Sequence, residues 1–214
     1  RLLAEAGARV IKIERPGGDF ARHYDTIVNG ESAYFVWLNA GKESLLLDIK
    51  IESEKRLLTA ILAKADVFIQ NLRPGAVEAL GFGYESLVEI NPGIVMCSIS
   101  GYGSEGDYAD KKAYDFLVQG ESALCSITGT PGEPARVGIS VCDISTGLTA
   151  YGEILRALLE RNGSGCGAHL DISLFDVMAE WMSVPLLGWD YSRFDWPRLG
   201  LAHPTIAPYG VFDL

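Results

Sequence analysis

Residues 66–100, DVFIQNLRPGAVEALGFGYESLVEINPGIVMCSIS, contain two short apolar runs separated by segments of helical character. The first run, DVFIQN at 66–71, and the second, GIVMCSIS at 93–100, have the length and continuous apolar character of buried strands. Between them, PGAVEALG and YESLVEIN each predict a short helix. Strands joined in this way through helices form a parallel sheet covered on both faces, so this stretch predicts an α/β fold.

The same alternation continues along the rest of the chain. Further strands are predicted at 8–14, 43–49 and 136–143 and in HLDIS, and longer helices at 52–65 and 144–161. The second of these helices ends at the glycines of RNGSGCG, and its apolar face comprises Leu148, Tyr151, Leu155, Leu158 and Leu159. We therefore expect a Rossmann-like, doubly wound and mostly parallel sheet.

The domain organisation follows from a change of composition near Pro185. Residues 1–184 carry the strand and helix pattern, whereas 185–214 are rich in Trp, Pro and Gly, which predicts a linker and the start of a smaller domain. Arg1 lies within an amphipathic pattern, and the final residues APYGVFDL are apolar to the end. We expect an internal piece of a longer protein.

Composition and motifs argue against several classes of protein. A net charge of −10 without a basic block is unsuited to nucleic acid. No G-x-G-x-x-G lies between the first predicted strand and a following helix, which argues against dinucleotide binding, and the absence of a G-x-S-x-G argues against a serine hydrolase. No Walker loop occurs either. The four cysteines are irregularly spaced with no C-x-x-C pair, which favours reduced thiols of a cytoplasmic protein over a disulfide framework or a zinc site. No apolar run reaches the length of a membrane span.

Asp143 lies where the predicted strand 136–143 meets the predicted helix 144–161, and two interpretations of it are open. Aspartate is a preferred helix N-cap, a role that stabilises a protein by about 1 kcal/mol. Ligands of parallel α/β sheets also collect at the carboxyl ends of strands, where a carboxylate could act as a nucleophile. Arg15, Asn71 and the GYG at 101–103 also follow predicted strands.

Several stretches, taken together, resemble the class III CoA-transferases, a family that includes formyl-CoA transferases, carnitine CoA-transferases and 2-methylacyl-CoA racemases. They run in order along nearly the whole chain: LLAEAGARVIKIERPGGDFAR, YFVWLNAGKESLLLDIK, ADVFIQNLRPGAVEALGFGYESL, NPGIVMCSISGYG, YDFLVQGESALCSITG and CDISTGLTAYGEILRALLERNGSG.

The resemblance implies a catalytic role for Asp143. It would attack an acyl-CoA carbonyl to give a mixed anhydride and then carry CoA as an aspartyl thioester. The positive end of the helix would keep the carboxylate ionised, and Gly147, one turn on, would leave room for the thioester. No metal or resident cofactor is implied, because CoA and a small carboxylic acid are substrates.

The resemblance also implies CoA-binding residues and an assembly. Residues 1–184 would form the CoA-binding catalytic domain, and the protein would form an interlocked homodimer in the cytoplasm. The residues implied to contact CoA or to lie in its site are Arg15, Leu47, Lys50, Asn71, Leu72, Leu80, Lys112 and Tyr114. For the lysines, a solvated surface charge explains the sequence equally well.

Two alternatives to a transferase stay open. A racemase of this family would use a histidine in the segment that corresponds to SALCSITG, but this chain has Cys125 there, and a cysteine of ordinary pKa is a poor base. A member that binds acyl-CoA without turnover would share the same motifs. The acceptor acid is not defined by the sequence; formate or oxalate, carnitine and C4 or C5 dicarboxylates are all compatible.

Overall fold

The computed structural model describes residues 1–212. Contacts along the chain divide it into two compact units. The first comprises Arg1–Asp66 with Glu89–Asn91, and the second comprises Val67–Val88 with the chain from Pro92 onward. Each unit is described by itself below.

Five strands and ten α-helices form the described part of the chain. The strands are β1 Val10–Glu14, β2 Lys42–Leu46, β3 Val67–Gln70, β4 Val95–Ser100 and β5 Ala168–Ser173. A short 3-10 helix covers Phe20–His23, and the α-helices are α1 Leu2–Glu5, α2 Ala33–Asn39, α3 Glu52–Leu62, α4 Ala76–Ala79, α5 Tyr84–Ile90, α6 Asp115–Glu121, α7 Leu124–Ile127, α8 Val141–Ser164, α9 Leu174–Trp181 and α10 Ser183–Ser192.

The first unit contains a two-stranded parallel sheet, β1–β2, whose register runs from Val10 opposite Lys42 to Glu14 opposite Leu46. Glu14 is buried at the end of β1, and its carboxylate accepts a hydrogen bond from Ser44 Oγ and lies 3.6 Å from Arg22. The Ser44 hydroxyl is the main cause that lowers the pKa of Glu14. This carboxylate therefore ties β1 to β2 just before Arg15.

The second unit is built on the three-stranded parallel sheet β3–β4–β5, with Val95 opposite both Val67 and Ala168. The core lies at the central strand β4, where Val95, Met96 and Cys97 have no exposed surface. Helix α8 packs against β4, β5, α6 and α9. The predicted parallel α/β architecture is confirmed.

Helix α8 is longer than predicted and buries a partly different face. It begins at Val141, three residues earlier than expected, and ends before Gly165, whose left-handed conformation allows its N–H to bind the Arg161 carbonyl. Its buried residues include Ala150, Ile154 and Ala157. The predicted apolar face is confirmed only in part: Tyr151 and Leu158 are half-buried, whereas three of its leucines are exposed, Leu148 by 49%, Leu155 by 37% and Leu159 by 71%.

The strand predicted at 136–143 is absent, which is the main error of the sequence prediction. Residues 136–140 have no helix or strand, and 141–143 are already helical. The N–H of Val137 donates to Gln119 Oε1 at 2.8 Å instead of to a neighbouring strand, so the apolar run is held by a side chain. Helix α10 crosses the predicted domain boundary at residue 184, and that boundary stays a prediction.

The four cysteines are all free thiols in the described structure. Cys97 and Cys142 are buried, Cys125 is half-buried and Cys166 is exposed. Between residues 1 and 212, no helix is both long and apolar enough to cross a membrane.

A side chain at Gly167 should disrupt the sheet. A Cβ there would lie 1.8 Å from the Ile94 carbonyl oxygen, and the Gly167 N–H already donates to the Pro92 carbonyl at 2.8 Å. We expect Gly167→Ala to lower the free energy of unfolding by about 1–3 kcal/mol or more, because β5 must move away from β4. Chemical denaturation measures this change.

Gly152→Ala is the matched control for this prediction. Gly152 lies within α8 with open space where a Cβ would be, so alanine should raise the free energy of unfolding by about 0.5–1 kcal/mol. Equal losses of stability in the two variants would contradict the proposed contact at Gly167.

Candidate active site

Asp143 is the third residue of α8 and remains exposed to solvent. It is neither at the end of a strand nor at the N-cap position, which is occupied by Ser140 without a side-chain capping bond. Across residues 1–212, no hydrogen bond to the Asp143 carboxylate is described. The capping interpretation of Asp143 is therefore wrong.

Asp115, the first residue of α6, caps α8 in its place. Its Oδ1 accepts a hydrogen bond from the Cys142 N–H at 2.8 Å, and its Oδ2 accepts one from Gln119 Nε2 at 2.7 Å. A carboxylate near the amino-terminal end of a helix satisfies a free amide and interacts favourably with the helix dipole. Because Asp115 provides this interaction, the carboxylate of Asp143 is free of it.

The electrostatic environment of Asp143 favours its protonated form. Desolvation by the surrounding protein, followed by the negative charge of Asp115, raises the pKa of Asp143 to about 6. The positive end of the helix acts in the opposite direction, towards the ionised form. A group with this pKa is still about nine-tenths ionised at pH 7, and it is more basic than an ordinary aspartate.

The neighbours of Asp143 along α8 separate into buried and open positions. Cys142 is fully buried, and burial is the main cause that raises the pKa of its thiol to about 12. Gly147, one turn beyond Asp143, is exposed, and no atom lies within 4 Å of the position that a Cβ would take. The helix surface beside Asp143 is therefore open at Gly147.

A groove of the second unit lies elsewhere on α8. It has a volume of about 460 Å³ and is lined by residues of α8, β5 and α9, from Thr149 to Trp181, with Asp143 outside it. Arg156 in this groove is paired with Glu153 and Glu160, so its charge is already neutralised.

In the first unit, two of the predicted CoA-binding residues are exposed cations and the third is buried. Arg15 follows β1 and Lys50 follows β2, and for neither side chain is an ion pair described within residues 1–212. Leu47 is 4% exposed and packs within the core of the unit.

In the second unit, most of the predicted CoA-binding residues are exposed. Asn71 and Leu72 follow β3, as predicted for a strand-end position, and Leu80, at the end of α4, is half-buried. Lys112 and Tyr114 precede α6, and Tyr114 is 69% exposed.

The loop that carries Lys112 is anchored at both ends. A Cβ on Gly101 would lie 2.1 Å from the Ala113 Cβ, so the start and end of the loop approach closely. Lys111 pairs with Glu121, and its Nζ lies 4.6 Å from the ring centre of Tyr108 and 5.3 Å from that of Tyr102. Both lysines are exposed, but Lys111 is paired with Glu121.

Asp115 and Gln119 are the residues that the sequence analysis missed. Their spacing of four residues is compatible with one face of a helix, which is the one signal that the sequence offers. Nothing in the sequence indicates that this face meets the start of α8, more than twenty residues later. Among residues 1–212, no cluster of three His, Cys, Asp or Glu side chains could hold a metal ion.

Comparison with known proteins gives consistent results over the whole chain. A family model described as CoA-transferase family III matches residues 1–214. An acetyl-CoA:oxalate CoA-transferase of Acetobacter aceti is 41% identical over 215 residues, which are 99% of this chain and 55% of that protein. A succinate–glutarate CoA-transferase of Agrobacterium fabrum is 39% identical, with the same coverage of both chains.

Among solved structures, a CaiB/BaiF family protein from Brucella suis is 38% identical and superimposes with a TM-score of 0.91, covering 99% of this chain and 58% of that one. The chain spans about half the length of the curated relatives it matches. With a family match over its full length and relatives of this identity, the chain belongs to CoA-transferase family III.

Proposed function

We propose that the intact protein is a CoA-transferase that moves CoA from an acyl-CoA donor to a carboxylic acid, with Asp143 as the covalent nucleophile. The observation that carries this proposal is the state of the Asp143 carboxylate. It is exposed in the first turn of α8, it is relieved of capping by Asp115, and its pKa is raised to about 6. A carboxylate that is ionised but more basic than usual is a better nucleophile.

The proposed reaction needs no external proton or redox partner. An Asp143 oxygen attacks the acyl-CoA carbonyl carbon, and the C–S bond breaks to give a mixed anhydride and CoA thiolate. The thiolate attacks the aspartyl carbonyl carbon, which releases the donor acid and leaves an aspartyl-CoA thioester. The acceptor carboxylate then attacks the thioester carbonyl carbon, which expels CoA thiolate and forms a second mixed anhydride between Asp143 and the acceptor. The thiolate attacks the acceptor carbonyl carbon of this anhydride, the C–O bond to Asp143 breaks, and the new acyl-CoA and the free Asp143 carboxylate result.

The start of α8 suits the charge that develops during these steps. The amino-terminal end of a helix carries a partial positive charge and N–H groups without intrahelical partners, which stabilise an oxyanion. The open surface at Gly147 leaves space for the thioester next to the helix backbone.

We propose CoA contacts within each unit taken by itself, where exposed cations would bind phosphates on a chain of net charge −10. Arg15, Lys50 and Lys112 are exposed, and a guanidinium such as that of Arg15 suits bidentate contact with a phosphate. Asn71, Leu72, Leu80 and Tyr114 would contact the rest of the CoA molecule. No resident cofactor takes part in the proposal, and an interlocked homodimer remains part of it.

A transferase is favoured over a racemase by the environment of Cys125. Burial is the main cause that raises the pKa of this thiol above its usual range, so little thiolate is available as a base near neutral pH.

For the acceptor we propose a small dicarboxylic acid, because the relatives above are named for oxalate and glutarate.

Replacement of Asp143 tests the covalent mechanism directly. In the intact protein, Asp143→Ala should reduce transferase turnover by roughly 10³-fold or more, because the nucleophile is lost. Hydroxylamine trapping after incubation with succinyl-CoA should label Asp143 in the wild type and not in the variant, as read by peptide mass spectrometry. CoA binding, measured by calorimetry, should persist.

The exposed Asp190 on α10 offers a control, since Asp190→Ala should keep both turnover and the label. A labelled Asp143 without turnover of oxalate, glutarate or succinate would exclude these acceptors. CoA binding with no label in the wild type would support a non-catalytic member.

The charge of Asp115 should set part of the pH dependence. Asp115→Asn keeps an oxygen for the Cys142 N–H and removes the negative charge that acts on Asp143 from α6. Its NH₂ group replaces the oxygen that accepts from Gln119 Nε2, so that bond is lost as well. The acidic limb of the kcat profile, near pH 6 in the wild type, should move to lower pH. It should stop short of the ordinary value of 3.8, because desolvation, the larger cause, remains.

Glu121→Gln removes one charge from the same helix and should leave the midpoint unchanged, because Glu121 is not among the groups that raise the pKa of Asp143. A midpoint that moves upward in Asp115→Asn would contradict this assignment.

Arg15 should contribute to CoA binding and little to the chemical step. Arg15→Gln should raise KM for the acyl-CoA about 10-fold and leave kcat nearly unchanged, as expected when a contact is equal in ground and transition states. Steady-state kinetics with Arg156→Gln as control should show no such rise. A fall in kcat with constant KM would contradict the proposed role of Arg15.

A further inference from the structure

We infer that Gln119 is a positioning residue for Asp143: its buried amide holds, in one arrangement, both the carboxylate that caps α8 and the backbone that leads into α8. This inference rests on the proposed function, because it concerns the placement of the proposed nucleophile.

The amide of Gln119 is bound at both ends. The side chain has no exposed surface; its Oε1 accepts the Val137 N–H at 2.8 Å, and its Nε2 donates to Asp115 Oδ2 at 2.7 Å. The carbonyl oxygens of Val137 and Ile139 also lie 3.4 Å from Nε2. Rotation of the amide by half a turn would place NH₂ against N–H and C=O against a carboxylate, so a single orientation is allowed.

This amide holds two parts of the chain next to Asp143 in place. Through Asp115 it is connected to the Cys142 N–H, the residue directly before Asp143. Through Val137 and Ile139 it holds the irregular segment that enters α8. One side chain of α6 therefore fixes both the start of the helix and the chain that precedes it.

Apolar packing alone would not provide this placement. Val118, Cys142 and Met178 form a buried cluster that holds α6, α8 and α9 together. Such contacts are not directional, whereas hydrogen bonds fix orientation. Because a displacement of about 1 Å at a reacting group can cost about 10²-fold in rate, the polar link matters for turnover more than for folding.

Two variants of the intact protein separate these contributions. Gln119→Glu retains an acceptor for the Val137 N–H but loses the donor to Asp115 and places a second carboxyl beside it. Gln119→Leu removes both bonds. Ile154→Val, which deletes a buried methylene from α8 three turns beyond Asp143, is the control for a loss of stability alone.

The measurements are kcat, KM for succinyl-CoA and the rate of hydroxylamine-trapped labelling of Asp143, at a temperature where circular dichroism shows every variant folded. We expect kcat and the labelling rate to fall about 10- to 100-fold in both Gln119 variants, with KM within about 2-fold of the wild type. Hydrogen exchange of the peptide covering 137–143 should become faster. Ile154→Val should have a lower melting temperature and unchanged kcat.

Each contrary result has one meaning. Labelling of Asp143 at the wild-type rate in folded Gln119→Glu would overturn the inference while the proposed function stands. A loss of kcat in Ile154→Val as large as in the Gln119 variants would also overturn it, since stability alone would then explain the effect. Absence of labelling in the wild type itself would overturn the proposed function and this role together.

Discussion

The hydrogen bond from the Cys142 N–H to Asp115 is the interaction on which the candidate site depends. Through it, a carboxylate from α6 caps the start of α8. The carboxylate of Asp143 therefore does not cap the helix. The same charge contributes to the raised pKa of Asp143. Capping and tuning of the nucleophile are therefore carried by one side chain, since an Asp115 oxygen accepts the Cys142 N–H and the Asp115 charge acts on Asp143.

The parts of the fold that could be predicted are those that local pattern determines. The apolar runs around Phe68 and Met96 form β3 and β4 as predicted. The run at β4 is buried, as expected for a central strand, whereas Ile69 of β3 is exposed. Gly165 ends α8 because glycine has no Cβ and therefore adopts the left-handed conformation without strain. Arg15 and Asn71 each follow the last residue of a strand, as predicted.

The errors arise where a distant residue determines the outcome. The run at 136–143 has strand-like composition, but its amide at Val137 is bound by the buried side chain of Gln119. On α8, the exposed Leu148 and Leu159 have the more hydrophobic side chains, whereas Ala150 and Ala157 are buried. Small residues let a helix backbone approach a sheet closely, which is a property of the partner surface and not of the helix sequence.

Cys142, directly beside the proposed nucleophile, has a consequence for covalent labelling. Its sulfur is enclosed and stays protonated up to strongly alkaline pH, so it offers no thiolate to an electrophile that reaches Asp143. Cys166, in contrast, lies exposed just after the far end of α8. The molecule thus has a natural attachment point for a maleimide fluorophore or spin label, which would report on the second unit without modifying the neighbourhood of the carboxylate.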